Sequence, residues 1–208
     1  NLARADGLID FMHDDLWQKL DGIGRLDVLE DICVRSTAFF ESLDTAGLSD
    51  DQLLSRARTR RHFGEVWRDK ADDRLDRADA AFRTSCEWLE VLVERDPAER
   101  ERRFELGQAQ FYVGDVAYVR RDWPEALRWF QSYHDTSAGL LLETPDDGAL
   151  AQEVAWAAQS LGAAHLKLSD PGEARGSFAQ AASSWRRMLA EQPDDPMLRE
   201  ELASAESW

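Results

Sequence analysis

The side chains able to do chemistry are few, and their spacing keeps them apart. His13, Asp14 and Asp15 are all metal-ligand types, but consecutive residues on a helix point about 100° apart and do not converge on one ion. His62, His134 and His165 are scattered along the chain, with no second cluster to complete a coordination shell. Cys86 would need a base in reach and a lowered thiol pKa to act as a nucleophile. It stands four residues after Phe82, on the same helical stripe, which predicts a small buried residue instead. Cys33 and Cys86 are the two cysteines, and neither belongs to a CxxC pair; both are read as buried, reduced thiols. Gly22 and Gly24 flank Ile23 with no strand before them, so this is a helix–helix turn and not a phosphate loop. No acid, base and nucleophile stand together. The expectation is therefore no catalytic residue, no metal, no cofactor and no enzyme activity.

The composition narrows the partners. The 208 residues carry a formal charge of −16 and are 43% hydrophobic, enough for a packed core. That charge opposes binding to nucleic acid and to anionic lipid surfaces. No apolar run is long enough to span a bilayer, and the opening Asn1 to Asp15 is not a signal peptide. A cytoplasmic setting is expected. The chain starts without Met and ends inside an apparent helix, Leu198 to Trp208, and is read as a piece of a longer protein.

What positions these side chains is a repeat. Ala78-x3-Phe82 returns as Ala126-x3-Phe130 and Ala174-x3-Phe178, each step 48 residues. Pro97, Pro145 and Pro193 keep the same step, as do Leu106, Val154 and Leu202, with Ala109, Ala157 and Ala205 one turn later. Gly64, Gly114 and Gly162 form a further set, the first interval being 50 and the second 48. The two extra residues are assigned to the connection Lys70 to Asp76.

Each unit reads as two antiparallel helices, the first carrying the Gly and the second the Ala and Phe. Asp122 before Glu125, Asp170 before Glu173 and Ser49 before Gln52 have capping-box spacing. Pro171 falls at a first helical position, where its missing N–H costs nothing. Ahead of the repeats, Ala3 to Leu20 and Leu26 to Leu43 show helical stripes broken at Asp21-Gly-Ile-Gly24. The expected architecture is all-α, with about nine helices. Residues 1–48 form an entry or capping segment. Residues 49–97, 98–145 and 146–193 form three helix pairs, and 194–208 a truncated or capping final helix.

The Gly, Ala, aromatic and closing Pro positions of residues 50–208 resemble the tetratricopeptide repeat family, through Gly64, Ala78 and Phe82, Gly114, Ala126 and Phe130, and Gly162, Ala174 and Phe178. The resemblance implies a right-handed α-solenoid in which small residues let backbones approach and the aromatic fills the groove between neighbouring units. The usual repeat is about 34 residues. The longer one here is read as helices extended by roughly two turns each. The opening segment resembles those that precede tetratricopeptide arrays in large bacterial signalling and effector proteins, which implies a multidomain parent.

In that family the first helices line a concave groove. The resemblance places Arg58, Arg61, Glu65 and Arg68 on the wall of the first unit, with His62 beside them. It places Gln108, Phe111, Asp115 and Tyr118 on the second, with Tyr112 beside them, and Trp156, Gln159, Ala163 and Leu166 on the third. Trp123, Trp129 and Trp185 are read as packing between helices, and Trp156 as pointing away from the Gly162 face. Two readings of the arginine end stay open: capture of an acidic and apolar partner segment, or pairing with Asp69, Asp72, Asp73 and Asp76. Gln108 and Gln159 do not fit the lysine and asparagine pattern of chaperone-tail binding. The expected function is a protein-interaction scaffold for a peptide, a partner protein or neighbouring domains of the same chain. The alternative is a structural module that self-associates or spaces its neighbours.

Overall fold

The computed structural model describes residues 47–68 and 74–208. Every element among them is a helix, and none is a strand. Seven helices run in order: α1 (Asp50–Arg68), α2 (Leu75–Arg95), α3 (Arg100–Val119), α4 (Trp123–Glu143), α5 (Gly148–Lys167), α6 (Pro171–Glu191) and α7 (Pro196–Glu206). The two helices expected between Ala3 and Leu43, and with them His13, Gly22 and Cys33, lie outside the described residues. The extra-length connection after Lys70 lies largely outside them too. No described helix is long and apolar enough to cross a membrane.

The 48-residue period has a simple composition: a 20-residue α3, the turn 120–122, a 21-residue α4 and the turn 144–147. The turn after α3 and the turn after α5 are built alike. Arg121 and Ser169 adopt positive φ, 65° and 62°. The amide of Asp122 then donates to Ala117 O and that of Asp170 to His165 O, both at 2.9 Å, which closes a Schellman turn. The same two aspartates cap the next helix, accepting from Glu125 N and Glu173 N at 3.2 Å. The capping box is therefore only half made at these sites. The Asp122 and Asp170 amides are already spent on the preceding helix, so Glu125 and Glu173 have nothing to reach back to. At Ser49 the box is complete, with Gln52 N donating to Ser49 Oγ and Ser49 N to Gln52 Oε1. Asp147 and Asp195, the last residues of the two Pro-Asp-Asp clusters, cap α5 and α7.

The chain divides into two compact units, the first ending at Glu105 and the second starting at Leu106, a boundary inside α3. In the first unit, α2 buries Ala78, Ala81, Phe82, Cys86, Leu89 and Leu92, one stripe at three- and four-residue spacing. It packs on Leu53, Ala57, Phe63 and Trp67 of α1. Ser85 Oγ, fully buried, donates to Ala57 O at 2.8 Å, so the pair approaches closely with this buried polar contact satisfied. Asp50 at the start of α1 receives Arg95 and Arg102 at 2.6 and 2.9 Å.

In the second unit, Ala117, Ala126, Phe130, Leu161 and Ala164 join α3, α4 and α5 in one cluster. Alanines of α5 and α6 surround Trp185 and Met188 in another, closed by Leu198 and Ala205 of α7. Alanine dominates α5 because that helix is packed on both sides, by α4 and by α6. In both units the repeated Phe sits on the repeated Gly of its own helix pair. A Cβ on Gly114 would come within 2.7 Å of Phe130, and one on Gly162 within 2.9 Å of Phe178; at Gly64 the Phe82 ring is closer still. Phe130 also joins Leu161 and Ala164 of α5 in one cluster, so the ring meets the neighbouring pair as expected while its tightest approach is to the glycine of its own hairpin. The ring closes the gap inside the hairpin, where only a residue without a side chain lets it lie flat on the backbone.

Candidate functional site

The residues expected to form a groove fall into separate environments. In the first unit, Arg58 Nε and Arg61 Nη2 both donate to Glu105, at 2.7 and 3.1 Å. Arg58 Nη2 also reaches Glu101 at 2.6 Å, and Arg61 Nη1 reaches Glu65 at 2.6 Å. Burial disfavours the charge on Arg58, but Glu101 and Glu105 outweigh it and raise its pKa. Burial also works against the Glu65 carboxylate, and His62 and Arg61 overcome it to hold the group below its ordinary value. Glu65 lies 3.5 Å from His62. Arg68 ends α1, half-buried. The guanidinium groups of Arg58 and Arg61 are thus bound to glutamates of α1 and α3, partners that neither sequence reading named.

In the second unit, five of the expected residues come together. Gln108, Phe111 and Tyr112 of α3 and Trp156 and Gln159 of α5 line a cleft of about 440 Å³, with Tyr133 of α4, Glu153 and Ser160 of α5 and Glu201 of α7. Asp115 and Tyr118 are not in its wall; Tyr118 packs edge-on against Trp123, centroids 5.0 Å apart. The cleft's rings brace one another. Phe111 lies 5.2 Å from Tyr112 and 5.5 Å from Tyr133, and Trp156 meets the fully buried Trp185 at 5.7 Å with the ring planes inclined by 61°. Edge-to-face pairs of this kind hold aromatic faces at fixed angles.

Two carboxylates stand among these rings. Glu153 accepts from Gln108 Nε2 at 2.7 Å and from the Tyr133 hydroxyl. Glu201 accepts from Trp156 Nε1 and Gln159 Nε2, both at 3.0 Å. Gln159 is itself held by the Trp185 indole, which donates to its Oε1. Burial, and then the neighbouring Glu153, push the Tyr133 phenol far up in pKa, so it remains a donor.

Glu105, Glu153 and Glu201 are 48 residues apart, each directly before the apolar Leu106, Val154 and Leu202. Their donors also follow the repeat: Arg58, Gln108 and Trp156 hold one wall position, Arg61, Phe111 and Gln159 another. Phe111 has no donor to give, and Tyr133 supplies one in its place. Sequence reasoning missed Tyr133, Glu153, Ser160 and Glu201. The signal was present, since the glutamates share the register already read at the next residue.

The thiol of Cys86 is buried, and burial raises its pKa well above the ordinary value, which disfavours the thiolate a nucleophile requires. Among the described residues no group of three or more His, Cys, Asp or Glu side chains could hold a metal ion.

No family model matches the chain, and no curated protein matches it. Among solved structures it is similar to a chain described as "DHF79 filament", at 15% identity over 91% of this chain and 100% of that one, with a TM-score of 0.32. A score that low establishes no common fold, and these comparisons lend the tetratricopeptide resemblance no support of their own.

Proposed function

We propose that the chain is a protein-interaction scaffold, its helical hairpins stacked as a tetratricopeptide-like right-handed α-solenoid, and that it presents the cleft of the second unit to a segment of a partner protein. The observation that carries this reading is the cleft itself. Its volume lies in the range of sites that take a ligand group. Four aromatic side chains, Phe111, Tyr112, Tyr133 and Trp156, contribute to one concavity, and aromatic residues are the type enriched where proteins dock. The arginine end of the expected groove is less suited, because Arg58 and Arg61 already hold glutamates of their own unit. The resemblance of the opening segment supports a bacterial signalling or effector setting, in which a neighbouring domain of the same parent is as eligible a partner as a separate protein.

The test is selection of displayed random peptides on this chain and on Ser160→Trp, which fills the cleft from α5 while leaving the hydrophobic core untouched. Enrichment on the parent and its loss on a folded Ser160→Trp supports the reading. Failure to enrich any peptide, or equal enrichment on both proteins, ends it.

A further inference from the structure

We infer that the cleft of the second unit recognises a cationic side chain, with arginine as the residue the partner segment inserts. This rests on the docking role proposed above and specifies its chemistry. It reverses the charge that the arginine cluster near residue 60 would suggest.

The argument begins with how the carboxylates are satisfied. Glu105 in the first unit is neutralised by two guanidinium groups. Glu153 and Glu201 occupy the same register position, yet their donors are a carboxamide, a phenol, an indole and a second carboxamide. All four are neutral. Among the described residues no Lys, Arg or His makes an ion pair with either one. The donors fix the direction of each carboxylate without cancelling its charge. A carboxylate has about four acceptor sites, so two donors leave each of these glutamates with room for more.

The second part is what surrounds that charge. The rings of Phe111, Tyr112 and Trp156 line the same cavity, and ring faces attract cations, guanidinium most often. An arginine fits both features at once. Its planar head stacks on a ring and donates paired hydrogen bonds to a carboxylate, which the compact lysine ammonium does not. The cavity of about 440 Å³ admits one long side chain and is open at its mouth, so an extended segment can lie across it. The chain's charge of −16 favours the approach of a basic segment at a distance.

The probe is an acetylated, amidated Gly-Ser-Arg repeat peptide, paired with the same peptide carrying citrulline, which keeps the shape of arginine and removes its charge. The readout is the NMR signal of the Trp156 indole N–H, assigned with Trp156→Phe, because that proton points at Glu201. The arginine peptide should shift it with an affinity at least about tenfold above the citrulline peptide. That affinity should fall as salt is raised, and Glu201→Gln, if folded by its thermal melt, should weaken it by a similar factor. Equal binding of the two peptides overturns the inference without needing any variant. If displayed peptides are enriched at the cleft but lack arginine and lysine, the inference fails and the docking role stands. If no peptide of any kind is enriched, both fail.

Discussion

The ring of Phe130 lies so close over Gly114 that a methyl group there would sit 2.7 Å from Cδ1 of the ring and 3.2 Å from Cβ of Trp129. Real side-chain carbons do not approach that closely, so any side chain at 114 has to displace the ring or the helix. Gly176, inside α6, has nothing within 4 Å of an added Cβ. The same substitution should therefore have opposite signs at the two places. Gly114→Ala should cost about 1–2 kcal/mol, overpacking exceeding the gain in helix propensity. Gly176→Ala should add about 0.5–1 kcal/mol. Urea denaturation of both variants checks this, and adding Phe130→Leu to Gly114→Ala should cost less than the sum of the single changes.

The three repeated glutamates should not be equal in their effect on stability. Removing Glu105 leaves two half-buried arginines with only Glu65 and Glu101 to hold them, whereas removing Glu201 leaves neutral donors that water can satisfy. Glu105→Ala should cost about 2–3 kcal/mol and Glu201→Ala about 1 kcal/mol. Hydrogen exchange would localise each loss, with α1 losing protection in the first variant and α7 in the second.

Acid should loosen the first unit. Glu65 is held below its ordinary value of 4.5, burial opposing the charge while His62 and Arg61 prevail. Asp50 is likewise held below 3.8 by its hydrogen bond to Arg95, with Arg102 adding to it. For a depressed carboxyl the stabilisation is complete above the unfolded pKa and is lost as pH falls through the lower folded value. The losses should therefore begin below about pH 4.5 and continue downward, with neutral and mildly basic pH leaving them intact. Glu65→Gln should flatten part of that acid limb; a variant whose melting temperature falls with pH as steeply as the parent's would contradict the assignment.

The two turns with positive φ carry residues poorly suited to them. Arg121 and Ser169 adopt the left-handed conformation that costs an L residue about 1 kcal/mol and glycine nothing. Arg121→Gly and Ser169→Gly should each raise stability by about 0.5–1 kcal/mol. Thermal denaturation of the single and double variants gives the answer directly.

From the sequence alone came the all-helical class, the boundaries marked by Asp122, Asp170 and Ser49, and the common register of the repeated Ala and Phe, whereas the seating of each Phe on the Gly of its own hairpin was decided by packing. Class, boundaries and register depend on short-range stereochemistry and on period, both of which are written along the chain. Which surface carries charge was a different matter. Arg58 and Arg61 could be read as capturing a partner or as pairing with nearby aspartates, and the glutamates that bind them lie 40 or more residues away except for Glu65. Glu153, Glu201 and Tyr133 were not singled out in the sequence. Only the packing of α3, α4, α5 and α7 brings them to one cleft. A repeat declares which residues are equivalent, but hydrogen-bond partners are chosen by how helices pack, and that is decided by the whole set of side chains between them.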